Sequence, residues 1–176
     1  MDERTITKAV EAAVRQMLES KPAGADAEHG HKCSCRKTKM TLELAKALTE
    51  KVEQRAKTMG MSVIIAVADQ SARPVAIHCM DDAYIASFDI ACKKAYTSAG
   101  LKMSTETLGQ LSQPGGPLYG IQNTNDGKIV IFGGGEPLEI EGKLVGALGV
   151  SGGTAEQDTE LAAYGKEVFK EVVACL

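Results

Sequence analysis

Apolar residues recur every three or four positions through the first 20 residues. Ile6, Val10, Val14, Met17 and Leu18 form a stripe that Ala9 and Ala13 widen, and Glu3, Arg4, Lys8, Glu11, Arg15 and Gln16 occupy the remaining positions. This spacing predicts an amphipathic helix over residues 3–19. So short a helix is marginal alone in water, so it needs a partner surface, either the domain that follows or another protein. The periodicity then stops. Residues 21–39, "KPAGADAEHGHKCSCRKTK", hold Pro, Gly, small and charged residues and nothing apolar larger than Ala or Cys. They read as a flexible linker. The pattern resumes at Met40, so the chain divides into a helix (1–20), a tether (21–39) and a domain (40–176).

Within the domain, Leu42, Leu44, Ala45, Leu48, Val52 and Ala56 mark a helix capped by Thr41 and stopped at Gly60. Ser62 to Ala68 is a β-branched run, Asp69 to Ala72 a turn, and Pro74 to Met80 the returning strand of a hairpin. "DAYIASFDIACKKAYTSAG" predicts a helix capped by Asp81 or Asp82 and ended by Gly100, followed by a short helix capped by Ser104. A Pro- and Gly-rich loop with a short strand around Leu118 to Ile121 comes next. Three further strands are expected at Lys128–Phe132, Pro137–Glu141 and Lys143–Val150, the last two joined by a tight turn at Glu141-Gly142. An amphipathic helix closes the chain. Hairpin connections imply an α+β layered domain with a mainly antiparallel sheet of about five strands flanked by helices.

Charge and composition narrow the function classes. The formal net charge is −3 with both signs mixed along the chain, and aromatics make up only 4%. Neither a basic face nor stacking platforms for nucleic acid are indicated. No run of 18 apolar residues is present, and "MDERTITKAV" starts acidic without an apolar core. No membrane span and no secretory signal are therefore expected. Five cysteines in a chain without an export signal suggest reduced thiols and a cytoplasmic location. No GxGxxG follows a first strand and no Walker loop occurs, which disfavours nucleotide-binding folds.

Two stretches carry a more specific pattern. Val67-Ala68-Asp69, Met80-Asp81-Asp82-Ala83 and Ala91-Cys92-Lys93-Lys94-Ala95-Tyr96-Thr97 stand in order, followed by "FGGGEPLEIEGKLVGALGVSGGTAEQDTELAAYG". Over residues 40–176 the chain resembles the GlcG/HbpS family, which also forms the C-terminal domain of PduO-type proteins. Three features depart from the family pattern: Asp82 stands at a turn position usually occupied by Gly, His78-Cys79 replaces a bulky apolar and a basic residue, and the helix after Thr41 has no histidine. A haem ligand in that helix, expected in some relatives, cannot be carried over. The resemblance implies a profilin-like layered fold, homo-oligomerisation, and binding of haem or a corrinoid-related tetrapyrrole. The N-terminal helix and tether are in turn similar to the encapsulation peptides of bacterial microcompartment cargo, which implies docking on a shell protein or core enzyme inside a microcompartment.

Candidate ligand-binding positions follow. Gly115, Gly116, Gly134 and Gly135 sit in predicted loops or strand ends, where glycine lets a ligand approach the backbone and equally serves tight turns. Lys94 and Thr97 share a helix face, with Asp69 at a hairpin end. A cation there suits a propionate or phosphate, and equally a structural ion pair. His78 is the sole histidine of residues 40–176. Histidine ligation of haem within the domain would fall to it, although a packed histidine is the plainer reading. Cys92 and Cys175 read as small hydrophobes. His29, His31, Cys33 and Cys35 supply ligand types that suit zinc or haem iron, at a spacing unlike common zinc sites. The leading expectation is a microcompartment-associated tetrapyrrole-binding protein that supports cofactor or redox maintenance. The alternatives are a non-catalytic oligomeric assembly module, and an enzyme acting on a small metabolite in a Gly-rich groove.

Overall fold

A computed structural model of the chain describes residues 39–175. The elements run α1 (Leu42–Thr58), β1 (Ile64–Asp69), β2 (Pro74–Cys79), α2 (Ile85–Leu101), α3 (Thr105–Leu111), β3 (Gly135–Ile140), β4 (Lys143–Ser151) and α4 (Ala155–Cys175). The four strands form one antiparallel sheet in the order β2-β1-β4-β3. Strand β1 is buried on both sides, so its sequence is a continuous apolar run. Its odd-numbered residues, Ile65 and Val67, pack with Leu48 and Val52 of α1, Leu148 and Val150 of β4, and Leu161 and Phe169 of α4. Its even-numbered residues, Ile64, Ala66 and Ala68, pack with Ala91 and Ala95 of α2. Helices α1 and α4 therefore cover one face, and α2 covers most of the other, where α3 also meets β3 through Thr105.

Local chemistry explains the boundaries. The Leu44 amide donates to Thr41 Oγ1 at 3.1 Å, which caps α1, and Gly60 follows that helix at φ +67°. Ser104 caps α3 by accepting from the Thr107 amide at 3.1 Å. The expected cap of α2 is displaced. Tyr84 holds that position without a side-chain bond, while Asp82 turns the preceding segment at φ +63°. Gly100 lies inside α2, and Lys102 ends the helix in the left-handed conformation. Glu141 and Gly142 both take positive φ, as a tight two-residue hairpin turn requires.

The sheet has four strands where about five were expected. Residues 128–132 do not join it because their polar groups are taken by helix α2. The Val130 amide donates to Thr97 Oγ1 at 3.0 Å, and the Thr97 hydroxyl also reaches Lys128 O at 3.3 Å. Ile129 and Val130 are buried nonetheless, which accounts for their strand-like sequence. Around Leu118 to Ile121 the chain forms turns that lead into a 3-10 turn over Ile121–Asn123, without a strand.

Asp82 carries a testable consequence. A left-handed conformation costs an L-residue about 1–2 kcal/mol, partly offset by glycine's larger loss of freedom on folding. Asp82→Gly should therefore stabilise the domain by about 0.5–1 kcal/mol, raising Tm by about 1–3 °C. Differential scanning calorimetry checks it, and an unchanged or lower Tm would show that the aspartate side chain contributes more than its backbone costs.

Candidate functional site

Small residues let α2 lie unusually close to the sheet. A Cβ on Gly149 of β4 would fall on the carbonyl of Ala91 and 2.6 Å from the Ala95 amide nitrogen. Nearby, Ser151 donates to Ser87 at 3.2 Å. This approach carries Lys94 through the contact layer. Its side chain is fully buried, and Nζ donates to Asp158 Oδ2 at 2.7 Å and to Val150 O at 2.8 Å. The ammonium also sits 4.9 Å from the centroid of the Phe132 ring. Asp158 Oδ1 accepts from the Gly153 amide at 2.9 Å. Burial pushes the Lys94 ammonium below its ordinary pKa, and the Asp158 carboxylate opposes that shift.

The glycines of residues 133–135 shape this network. Gly134 has φ +110°, and a Cβ there would lie 2.6 Å from Lys94 Nζ and 2.7 Å from Val150 O. The Gly135 amide donates to Thr105 Oγ1 at 2.9 Å, and a Cβ at Gly135 would stand 2.7 Å from Ser98 Oγ. Ser98 Oγ is buried without a hydrogen-bond partner. Gly134 and Gly135 therefore admit protein atoms, not a ligand.

A second polar cluster lies on the other face. His78 projects from edge strand β2 toward α1. Its Nδ1 is 2.8 Å from Glu53 Oε2 and its Nε2 is 3.2 Å from Thr49 Oγ1, whose own proton goes to Lys46 O at 2.9 Å. Lys57 first, and then His78, hold the Glu53 carboxyl below the usual carboxylate range. The Thr49–His78–Glu53 chain has the connectivity of a hydrolase triad. It lacks the reactivity, because the Thr49 hydroxyl is buried and faces no substrate space. Beside the imidazole is an open groove of about 580 Å³ lined by Glu53, Lys57, Ser62, His78, Cys79 and Asp81, among others.

The structure separates residues that the sequence grouped as one candidate site. Lys94 is sealed in the protein, with its ammonium directed at Asp158 and Val150 and away from any external anion. Thr97 ties residues 128–130 to α2. Asp69 sits at the end of β1 remote from the groove. It accepts from the Ser71 and Arg73 amides at 2.8 and 3.1 Å and from Arg73 Nε at 2.9 Å. Burial would raise the Asp69 pKa, but the Arg73 and Ser71 donors outweigh it and hold the carboxyl below its ordinary value. Gly115 turns a surface loop at φ +84°, and Gly116 packs on the carbonyls of Leu111 and Gln113. Gly134 and Gly135 pack instead against Lys94, Ser98 and Thr105. His78 as placed does not fit axial ligation of haem iron, because both ring nitrogens are engaged and Nε2 points at buried Thr49. His29, His31, Cys33 and Cys35 lie outside the described residues. Among the described residues, no group of three or more His, Cys, Asp or Glu side chains could hold a metal ion, and no helix is long and apolar enough to cross a membrane.

A family model described as "Haem degrading protein HbpS-like" matches residues 40–167. The chain belongs to the HbpS-like family. It is 43% identical over 133 residues to an uncharacterised 15.0 kDa protein from the dhaT–dhaS intergenic region of Citrobacter freundii, covering 76% of this chain and 94% of that protein. It is 40% identical over 115 residues to the corrinoid adenosyltransferase PduO of the same organism, covering 65% of this chain but only 34% of PduO. The HbpS-like domain thus matches about a third of that enzyme. Among solved structures, the PduOC–haem complex matches with a TM-score of 0.70 and 34% identity, covering 73% of this chain and 94% of that one.

Two polar pairings of this HbpS-like domain leave no signal in the sequence. The Lys94–Asp158 pair joins residues 64 apart, and Asp158 appeared only as one letter of a long motif. The Glu53–His78 pair joins residues 25 apart on a helix and a strand, with no spacing to signal it.

Proposed function

We propose that this HbpS-like protein binds a tetrapyrrole, with haem as the ligand to test first, and that it supports cofactor or redox maintenance in a bacterial microcompartment. The observation that carries the reading is the match of almost the whole PduOC chain, solved with haem, to this domain. The PduO relationship supports the microcompartment setting, with residues 1–20 as the docking helix for a shell protein or core enzyme. Homo-oligomerisation belongs to the same reading. His78 is not assigned as the iron ligand, because its nitrogens serve Glu53 and Thr49.

Titrating the full chain with haemin tests the proposal. A saturable Soret shift at micromolar haemin is expected, and His78→Ala should retain it. No shift in the wild type would remove the haem claim. A shift lost only in folded His78→Ala would mean that the ring swings out to ligate. The Cys33→Ser/Cys35→Ser variant should fold normally, so any loss there would appear only in haem or metal binding.

A second reading, a non-catalytic assembly module, is favoured by one observation. The imidazole beside the groove has both nitrogens engaged within the protein, by Glu53 and Thr49. A fluorescent reporter carrying residues 1–20 should collect at compartments under either reading, and a diffuse signal would count against the docking helix.

A further inference from the structure

Strand β2 and helix α2 each bring a cysteine to the same side of the sheet. Cys79 is the last residue of β2 and lies opposite Ile64 in the antiparallel register, as Ile77 lies opposite Ala66. Partners across a ladder project to one face. Ile64 and Ala66 face α2, so Cys79 does as well, while His78 before it faces Glu53 of α1. On the helix side, Cys92 packs on the small cluster that Ile64 and Ala66 make with Ala91 and Ala95, together with Ile77 and Ala83. Ile64 thus stands beside one thiol in the ladder and belongs to the cluster on which the other packs. Cys175, by contrast, ends α4, which packs on the opposite face.

The two thiols differ in access. Cys79 is exposed and lines the polar groove beside His78, while Cys92 is partly covered. Burial first, then the Asp89 carboxylate and the charge of a Cys79 thiolate, push the Cys92 thiol up. A thiolate's field fades with distance, so its effect on Cys92 is a second sign that the two sulfurs lie near each other. Access and proximity together divide the roles of a redox pair. The exposed sulfur meets an oxidant, and the covered one, kept as the thiol, is spared until its neighbour has reacted.

We infer that Cys79 and Cys92 form a peroxide-sensitive dithiol switch that closes reversibly to an intrachain disulfide. Hydrogen peroxide is the oxidant. The Cys79 sulfur attacks one peroxide oxygen, the O–O bond breaks, and the thiol proton leaves with the other oxygen as water. Cys92 Sγ then attacks the sulfur of the Cys79 sulfenic acid. The S–S bond forms, the S–O bond breaks, and the departing hydroxide takes the Cys92 proton as a second water. Two electrons pass from the two sulfurs to one peroxide. A small-molecule thiol reductant reopens the bond by exchange. The consequence is mechanical. His78 already ties β2 to α1 from one face, and the disulfide fastens the same edge strand to α2 from the other while removing an exposed thiol from the groove wall. The switch goes beyond the tetrapyrrole reading and does not depend on it.

Peptide mapping of the full chain tests this in a Cys33→Ser/Cys35→Ser/Cys175→Ser background, which keeps only the two thiols. One molar equivalent of hydrogen peroxide should consume both thiols of each chain and yield a linked Cys79–Cys92 peptide, and dithiothreitol should restore both. Isotope-labelled and unlabelled chains refolded together should give linked peptides of a single isotope. Adding Cys92→Ser should strand Cys79 as a sulfenic acid that dimedone labels. Adding Cys79→Ser, at the exposed position, should slow oxidation of Cys92 by about tenfold or more. Mixed-isotope links would show that Cys79 joins separate chains and would overturn the intrachain switch. Folded protein in which Cys79 oxidises while Cys92 stays free, or in which Cys92 oxidises as fast without Cys79, would overturn it as well. The readout involves no haem, so the haemin titration decides the tetrapyrrole reading separately.

Discussion

Lys94→Ala should destabilise the domain by about 3–5 kcal/mol, the usual cost of removing one member of a buried ion pair. The truncation leaves Asp158 Oδ2 charged in the interior, with the Gly153 amide on Oδ1 as the carboxylate's remaining partner, and strips the Val150 carbonyl of its donor. Asp158→Asn tests the other side of the pair. Without the carboxylate that opposes burial, Lys94 should lose its proton more readily. A lysine whose folded pKa lies below its unfolded value leaves the unfolded chain binding more protons between the two. The variant should therefore regain stability as pH rises toward the ordinary lysine range. Combining the two substitutions should cost less than the sum of the singles by about 1–3 kcal/mol, because the pair acts as a unit. Urea denaturation at pH 7 and pH 9.5 measures all three. A Lys94→Ala cost below about 1 kcal/mol would show that the pair does not hold α2 to β4 and α4.

Gly149→Ala should be the other severe change, at about 3 kcal/mol or more. The added methyl meets backbone, at Ala91 O and the Ala95 amide, so no side chain can swing aside. Relief requires moving α2 off the sheet, which would also lengthen the Lys94 contacts. Gly100→Ala is the matched contrast. A Cβ there meets nothing within 4 Å, the residue lies inside α2, and its backbone is helical. That substitution should stabilise by about 0.5–1 kcal/mol. Thermal melts of the two variants should move in opposite directions, and a neutral Gly149→Ala would disprove the close helix–sheet approach.

Much of the architecture was legible without coordinates. Thr41 and Ser104 were readable as caps because their hydroxyls act within three residues of their own position. The Glu141-Gly142 turn was readable because it needs two positive-φ residues between two apolar strands. The misreadings share a cause. Residues 128–132 look like a strand because they are mostly apolar, with Ile129 and Val130 buried, but pairing depends on which polar groups lie alongside, and Thr97 lies there. Gly134 and Gly135 look like a ligand cradle because glycine marks close approach, and the sequence does not say what approaches. The structure shows Lys94, Ser98 and Thr105 there.

The sequence alone therefore determined what acts over short spans: helix stripes, caps, turns and the family motif pattern. Tertiary structure alone decided the partners of the charged residues. Lys94 reads from sequence as a helix-face cation able to meet a propionate. It becomes a buried strut because Gly149 and the alanines of α2 bring helix and sheet together, placing Asp158, 64 residues away, within 2.7 Å. His78 likewise reads as either a packed histidine or a haem ligand until α1 supplies Glu53 and Thr49 to its two nitrogens. Periodicity records which side of an element is buried. It carries no record of what is buried against it, and pairing of a charge depends on that second fact.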